Sequence, residues 1–200
     1  MQSKINKHEI DKRLTELFMG AFGFEEEEYD YFLSHFTKKL LKKKQIYSTA
    51  GSIANSKAYI NKGCARTFVV DEDGNEKILY FSFEDFWLCD FESFSTGLPG
   101  KHNVEMLEDS ELLIISKDDW TKLEKEISKM NQWYIRKVAR SAGAMLNRLA
   151  EVKVESPEER YISLLKTKPY IFQRVPLKHI AAFLDIQPQS LSRMRKRLIK

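Results

Sequence analysis

The C-terminal stretch from residue 176 to residue 200 most constrains the fold, because two amphipathic segments there are separated by a short turn. The apolar face of the first segment has helical spacing and consists of Ile180, Ala181, Phe183 and Leu184. Pro188 suits the first turn of a second helix, where its missing N–H needs no partner. Leu191, Met194 and Leu198 then continue at intervals of three and four. The pattern predicts two short helices joined by a tight turn.

The second of these helices has a polar and cationic face, made of Gln189, Ser190, Arg193, Lys196, Arg197 and Lys200. After Tyr170 the chain has seven cations against one anion, a net charge of +6. A helix with amide, hydroxyl and guanidinium groups on one face fits the major groove of DNA. The alternative is a basic helix whose charged face is only solvated. We favour DNA recognition.

The middle of the chain has the opposite charge. Residues 71–119 contain fourteen acidic side chains against three lysines, a net charge of −11. An acidic middle and a basic end indicate two modules with different partners. Because the acidic part repels nucleic acid, a contact with a polyanion belongs to the C-terminal module.

Several short strands at about ten-residue spacing predict a small antiparallel barrel or sandwich before residue 117. The predicted strands are 45–47, 57–60, 65–70, 77–81, 103–107 and 111–116. The sequence Asp73-Gly74-Asn75 indicates a hairpin. Residues 9–41 are predicted to be helical, and residues 81–94 to form a buried crossing loop or a short helix.

Residues 118–151 predict one helix of about 50 Å. Its apolar positions step by three and four and include Leu123, Ile127, Met130, Tyr134, Val138, Ser141 and Met145. Such a seam is typical of a coiled-coil contact, and the small residues 142–144 would let two helices approach closely. The alternative is a long helix packed on its own domain. We expect a homodimer helix.

Other function classes find little support in the sequence. Cys64 and Cys89 are isolated thiols, and the four histidines are scattered, so neither a metal site nor a cupin-like enzyme is indicated. The charged N-terminal segment does not resemble a signal peptide, and no apolar run is long enough to span a bilayer. We therefore expect a cytoplasmic protein that is not an enzyme and does not bind membranes.

The order of these parts resembles the Crp/Fnr family of bacterial transcription regulators. The matching segments are residues 60–79, the EDFW sequence at 84–87, residues 105–123 and residues 180–198. The resemblance implies an α+β fold with an N-terminal β-roll or jelly-roll sensor domain and flanking helices, a long dimerisation helix, and a C-terminal helix-turn-helix lacking most or all of the wing. The expected boundaries are 1–117, 118–153 and 154–200.

For DNA, the resemblance implies that Gln189 and Arg193 contact base edges and that Lys178, Ser190 and Lys196 contact phosphates. Pro188 stands where some relatives have a polar base-reading residue. Asp185 stands where the turn usually has glycine, and aspartate tolerates the left-handed backbone. The implied partners are double-stranded DNA, a second copy of the chain, and RNA polymerase.

The effector region departs from the family. Cyclic-nucleotide binders of this family hold the cyclic phosphate with an arginine, whereas this chain has no arginine between Arg66 and Arg136. The residues nearest the expected pocket are Trp87, Asp90, Glu92, Lys101 and His102. A buried phosphate without a guanidinium donor would be poorly compensated, so cyclic AMP is disfavoured and the effector stays open. The alternative function is a protein-interaction or small-molecule-sensing module with a degenerate pocket and no operator.

Overall fold

The computed structural model describes residue 10 and residues 12–198, and its fold is mixed helix and sheet. Helix α1, Lys12–Thr15, continues directly as a π-helical segment, Glu16–Ala21. Helix α2, Glu26–Ser34, begins with a capping box in which the Glu25 side chain accepts from the backbone of Glu28 and the Glu28 side chain accepts from the backbone of Glu25. The carboxylates in its first turn also favour the positive end of the helix dipole.

Two four-stranded sheets form a β-sandwich after these helices. The strands are β1 Thr37–Leu41, β2 Ile46–Ser48, β3 Ser56–Lys62, β4 Ala65–Val70, β5 Glu76–Ser82, β6 Trp87–Leu88, β7 Asn103–Met106 and β8 Ser110–Ser116. One sheet has the order β1-β8-β3-β6 and the other β2-β7-β4-β5. The prediction of a small sandwich of short strands is therefore confirmed.

Successive side chains of β3 point to opposite faces of the sheet and therefore pack in two different hydrophobic clusters. Ala58 and Ile60 pack in a cluster with β4, β7 and β8, whereas Tyr59 belongs to a cluster shared with the helices. Lys57 shares the face of Tyr59 because side chains two residues apart lie on the same side of a strand. It is 1% exposed.

The assignment of residues 37–41 to a helix was wrong. These residues form β1, which pairs antiparallel with β8 along its whole length. The segment TKKLL has neither strand alternation nor a clear helical face. Its conformation is set by pairing with β8, a tertiary effect that local sequence does not show.

Seven helical elements follow β6. They are α3 Phe91–Thr96, α4 Lys117–Glu126, α5 Ser128–Val154, α6 Pro157–Thr167, α7 Ile171–Arg174, α8 Leu177–Phe183 and α9 Pro188–Leu198. The prediction of one continuous helix from Asp118 to Glu151 is wrong, because the backbone turns extended at Ile127, with φ −113° and ψ 92°.

The N-terminal part of the predicted dimer seam, around the break at Ile127, is buried within the chain. Leu123, Ile127 and Met130 are 0%, 5% and 0% exposed and pack in the core of their own chain. They leave no surface for a second copy. Their apolar spacing reflects burial within the chain, the alternative that the sequence pattern had left open.

The chain divides into two compact units. Of the described residues, the first unit contains those up to 67 together with 81–136, and the second contains 68–80 together with those from 137 to 198. The first unit has an aromatic core that includes Phe18, Phe32, Trp87, Trp120 and Trp133. Among the described residues, no helix combines the length and the apolar character needed to cross a membrane.

Candidate functional site

Helices α8 and α9 form a helix-turn-helix whose turn has complete hydrogen bonding. Asp185 has a φ of +59°, as expected for a residue that replaces glycine in the left-handed region. The Ile186 N–H donates to the Ala181 carbonyl at 3.0 Å, and the Asp185 N–H donates to the Ala182 carbonyl at 3.3 Å. This pair of bonds is a Schellman motif, which ends α8 and redirects the chain into α9.

The buried side of this motif holds the two helices together. Ile180, Ala181 and Leu184 are 0% exposed, and Leu191 of α9 is 1% exposed. The small side chain of Ala181 was expected where the helices cross, and it is fully buried. The sequence also assigned Phe183 and Met194 to the interior, and both are half-buried; the side chain of Leu198, assigned there too, lies outside the described part of the chain.

The opposite side of α9 is open to solvent. Gln189, Arg193 and Lys196 are exposed, and Ser190 is half-buried. The Arg193 Nη2 lies 3.3 Å from the Ser190 Oγ. Lys178 on α8 is also exposed. All five predicted DNA-contact residues therefore belong to one helix-turn-helix, and the Arg193 side chain is exposed on it. Lys200, also assigned to this face, lies outside the described residues.

The end of α8 is held by two arginines that the sequence analysis did not single out. Arg148 of α5 donates through Nη2 to the Phe183 carbonyl at 2.7 Å. Arg160 of α6 donates through Nη2 to the Leu184 carbonyl at 2.9 Å. No local signal marks these arginines, because a charged residue on a helix usually faces solvent.

In the predicted effector region, four of the five residues form a polar cluster. The Asp90 carboxylate begins α3 and accepts the Ser93 N–H at 3.1 Å. Its Oδ2 atom accepts the Lys101 N–H at 3.1 Å and lies 3.0 Å from the His102 Nδ1. The Lys101 ammonium lies 3.3 Å from the Glu92 carboxylate.

The charge of Asp90 is stabilised within this cluster. Burial of the carboxylate acts to raise its pKa, but the Ser93 and Lys101 N–H groups and the nearby His102 outweigh burial and hold the pKa below its ordinary value. A Cβ on Gly100 would lie 2.8 Å from the Asp90 Oδ2, so the loop approaches the carboxylate closely. The chain's own anion thus occupies the N–H groups at this end of α3.

The fifth predicted residue, Trp87, does not join the cluster. It is 4% exposed and packs edge-on against Tyr59, Trp120 and Trp133, with ring centroids 5.4–5.5 Å apart. Its role is in the aromatic core rather than in a pocket wall. A surface depression of about 480 Å³ lies elsewhere, at the break between α4 and α5, and is lined by Glu124, Lys125 and Asn131 among others.

The C-terminal half of α5 exposes apolar side chains. Met145, Leu149 and Val152 are 53%, 54% and 44% exposed. With the half-buried Val138 and the exposed Ala142, they are spaced four, three, four and three residues apart. This is a heptad seam. It retains Val138, Met145, Leu149 and Val152 from the predicted seam, whereas the half-buried Ser141 and Tyr134 lie off it.

Comparisons with known proteins agree with this architecture. Residues 38–126 match the family of cyclic nucleotide-binding domains. The regulator CLP of Xanthomonas campestris, described as c-di-GMP responsive, superposes with a TM-score of 0.70 at 14% identity, over 87% of this chain and 91% of that one. A protein from Eubacterium rectale, described as a transcriptional regulator of the Crp/Fnr family, superposes with a TM-score of 0.71 at 16% sequence identity. The match covers 88% of this chain and 83% of that one. The fold is that of the Crp/Fnr regulators.

A third protein with this Crp/Fnr fold spans nearly the whole chain. A CooA variant from Carboxydothermus hydrogenoformans superposes with a TM-score of 0.70 at 16% identity, over 98% of this chain and 85% of that one. None of the curated proteins is a significant match. Within the described part of the chain, no group of three or more histidine, cysteine or acidic side chains is placed to hold a metal ion.

Proposed function

We propose that this protein is a dimeric, sequence-specific DNA-binding transcription regulator. The observation that carries the proposal is the exposed polar face of α9, which follows a hydrogen-bonded Schellman turn and presents Gln189 and Arg193 to solvent. The Crp/Fnr fold of the chain supports the same function. A DNA partner places the protein in the cytoplasm, and RNA polymerase is the further partner that regulation would require.

The chemistry of α9 separates base contacts from phosphate contacts. Arg193 can donate two parallel hydrogen bonds to the O6 and N7 atoms of guanine, and Gln189 can pair with adenine. Lys178, Ser190 and Lys196 are assigned to phosphates, which fix the position of the helix without reading sequence.

We infer that the dimer forms through the heptad seam of α5. Large apolar side chains exposed along one helix face mark an interaction surface. Because the exposed side chains repeat at coiled-coil spacing, the partner that fits best is the same helix of a second copy. Ala142 in the middle of the seam would let the two backbones approach closely.

The polar cluster at α3 bears on the effector. Asp90 already occupies the Ser93 and Lys101 N–H groups, and a negatively charged ligand placed beside this buried carboxylate would be repelled. We infer that cyclic AMP does not bind at this end of α3 and that any effector is another small molecule. Titration calorimetry with cyclic AMP should show no heat of binding.

Selection of bound sequences from random duplex DNA tests the central proposal. We expect a palindromic consensus whose half-sites lie about 34 Å apart, one helical turn. Arg193→Ala should weaken binding to that site by about 1–3 kcal/mol and relax the preference at one base pair per half-site. Lys166→Ala, which removes an exposed cation from α6, is the charge-matched control and should leave the preference unchanged.

Two results would contradict the proposal. If the selected sequences have no consensus, the protein is an interaction module with a basic end and no operator. If Arg193→Ala binds the consensus with the affinity and selectivity of the unmodified protein, α9 does not read bases.

A further inference from the structure

The C-terminal end of α8 has a hydrogen-bond partner for each of its last carbonyls. The carbonyl of Ile180 accepts from the Leu184 N–H at 3.0 Å, and those of Ala181 and Ala182 accept from the turn. The two carbonyls that remain, of Phe183 and Leu184, lie at the helix end, where carbonyls have no partner within the helix. Such groups are usually left to water.

Here the two remaining carbonyls accept from guanidinium groups of other helices. Arg148 of α5 bonds the Phe183 carbonyl, and its guanidinium carbon lies 4.1 Å from the centroid of the Phe183 ring. Arg160 of α6 bonds the Leu184 carbonyl and, through Nη1, the Glu155 carbonyl at 2.5 Å. A cation at this position also favours the negative end of the α8 dipole.

Holding both arginines at one helix end has an electrostatic cost. Arg160 is 6% exposed, and the Arg148 side chain is 24% exposed. Burial, together with the nearby charge of Arg160, lowers the pKa of Arg148. Glu151 lies 3.6 Å from Arg148 and offsets part of this repulsion. Leu184 is 0% exposed, so a carbonyl at this end of α8 needs a donor from the protein, and the two arginines supply it from two different helices.

The position of Arg148 on α5 links the end of α8 to the heptad seam. It follows Met145 by three residues and directly precedes Leu149, and both of these belong to the heptad seam. Arg148 therefore occupies a position that directly flanks the seam, next to the proposed partner helix. A rotation or shift of α5 in the dimer would carry this guanidinium with it.

We propose that Arg148 is a positioning residue that fixes the orientation of the helix-turn-helix relative to the dimer helix α5. This rests on the proposed function. Arg148 binds the C-terminal end of α8, and the Schellman turn joins that end to α9. A change in the orientation of α5 would therefore change the orientation of α9. Arg160 holds the same end to α6 and keeps it in reach of Arg148.

The test compares binding to a single half-site with binding to palindromes of different half-site spacing. Arg148→Met keeps the aliphatic stem but removes the donor and the charge. We expect it to bind an isolated half-site like the unmodified protein and to lose about tenfold of its preference for the best spacing, the size of effect expected for a lost charged hydrogen bond. Arg140→Met, an exposed arginine two turns earlier on α5, is the matched control and should keep the full preference.

Stability and assembly are measured on the same samples, by thermal unfolding and sedimentation. If Arg148→Met fails to fold, Arg148→Lys takes its place, because a lysine keeps a cation near the carbonyl but cannot also stack flat on the Phe183 ring. An unchanged spacing preference in the folded variant overturns the proposal. A fall in half-site binding equal to the fall in palindrome binding also overturns it, because the damage would then lie within the helix-turn-helix.

Failure of the proposed function can be distinguished from failure of the proposal about Arg148. If the unmodified protein selects no DNA consensus, that function fails, and amide hydrogen exchange then tests the coupling alone. Arg148→Met should speed exchange in α8 and α9 but not in the first two turns of α6. Unchanged exchange in α8 and α9 would overturn the coupling.

Discussion

The amine of Lys57 is enclosed by aromatic rings from three helices. Its Nζ lies 3.6 Å from the ring centroid of Trp120 on α4, 3.7 Å from that of Tyr134 on α5 and 4.4 Å from that of Phe94 on α3. Within the described residues it has no hydrogen-bond acceptor. Burial lowers its pKa to about 7, although the nearby Cys89 and Glu124 act in the opposite direction.

This amine predicts a pH dependence of stability. Its pKa falls from 10.5 in the unfolded chain to about 7 in the folded one. Between these values only the unfolded chain binds the proton, so folding stability decreases as the pH falls, by up to about 1.4 kcal/mol per pH unit. Below the lower value both states are protonated and this contribution is constant.

Lys57→Met should remove that slope and raise the free energy of unfolding at pH 7 by about 2 kcal/mol or more. Urea unfolding at several pH values between 7 and 10 measures both. Lys62→Met, at the exposed end of the same strand, is the control and should keep the slope. Equal slopes in Lys57→Met and the unmodified protein would show that the buried amine keeps its proton.

Asp90 gives a second prediction for a single side chain. Asp90→Ala removes the N-cap of α3 and the acceptor for the Lys101 N–H, and should lower the free energy of unfolding by about 1–2 kcal/mol. Asp90→Asn keeps one acceptor oxygen and should cost less. Because the pKa of Asp90 is lowered, its contribution is present above pH 4 or so and is lost as the pH falls through the folded value.

Chemical denaturation at pH 7 and at pH 3 measures these differences. Glu92→Ala is the control for the cluster, because its ion pair with Lys101 is exposed and contributes at most about 1 kcal/mol. If Asp90→Ala lowers the free energy of unfolding no more than Glu92→Ala does, Asp90 does not stabilise α3 as its N-cap.

At the scale of elements, alternation and turn signals predicted the β-sandwich well. Strand β4, Ala65–Val70, has the predicted bounds, and most other strands differ by one or two residues. Two strands were misassigned: β1, which pairing with β8 determines, and β6, which pairs with β3 within the segment predicted to be a crossing loop or short helix. The break at Ile127 has no signal in the sequence, because neither glycine nor proline marks it, and Ile127 and Met130 on either side of it are buried in the core.

The heptad seam of α5 predicts how the dimer responds to mutation. Leu149→Asp places a carboxylate in the centre of the proposed interface, where its desolvation is costly. We expect it to shift the protein to monomers by at least about tenfold in dissociation constant, as measured by analytical ultracentrifugation. Asn147→Asp adds the same charge on the outer face of α5 and should leave the dimer intact. Dissociation by both variants alike would indicate general charge repulsion instead.

At the scale of the whole molecule, the charge distribution predicts a salt dependence. The logarithm of the DNA association constant should fall linearly with the logarithm of salt concentration, by about 0.9 for each phosphate contacted. In a dimer, Lys178→Gln or Lys196→Gln each removes two contacts, so each should reduce the slope by about 1.8. Fluorescence anisotropy at several salt concentrations measures the slope, and Lys166→Gln should leave it unchanged.

The sequence predicted the modules of the molecule better than the links between them. Local patterns located the helix-turn-helix, and the resemblance to the Crp/Fnr family located the polar cluster around Asp90. The sequence did not indicate Lys57, Arg148 or Arg160, because each is a charged residue whose role depends on burial by distant parts of the chain. Charged residues look alike in a sequence whether they are solvated or enclosed.

The side chains that build the α8–α9 turn are distinct from those that face outward on α9. Ala181, Asp185 and the two arginines hold the turn, whereas the side chains of Gln189 and Arg193 are exposed. Substitutions at the outward positions can therefore accumulate without unfolding the protein. Descendants of this chain could present a different set of side chains along α9 by a handful of codon changes while inheriting the same scaffold.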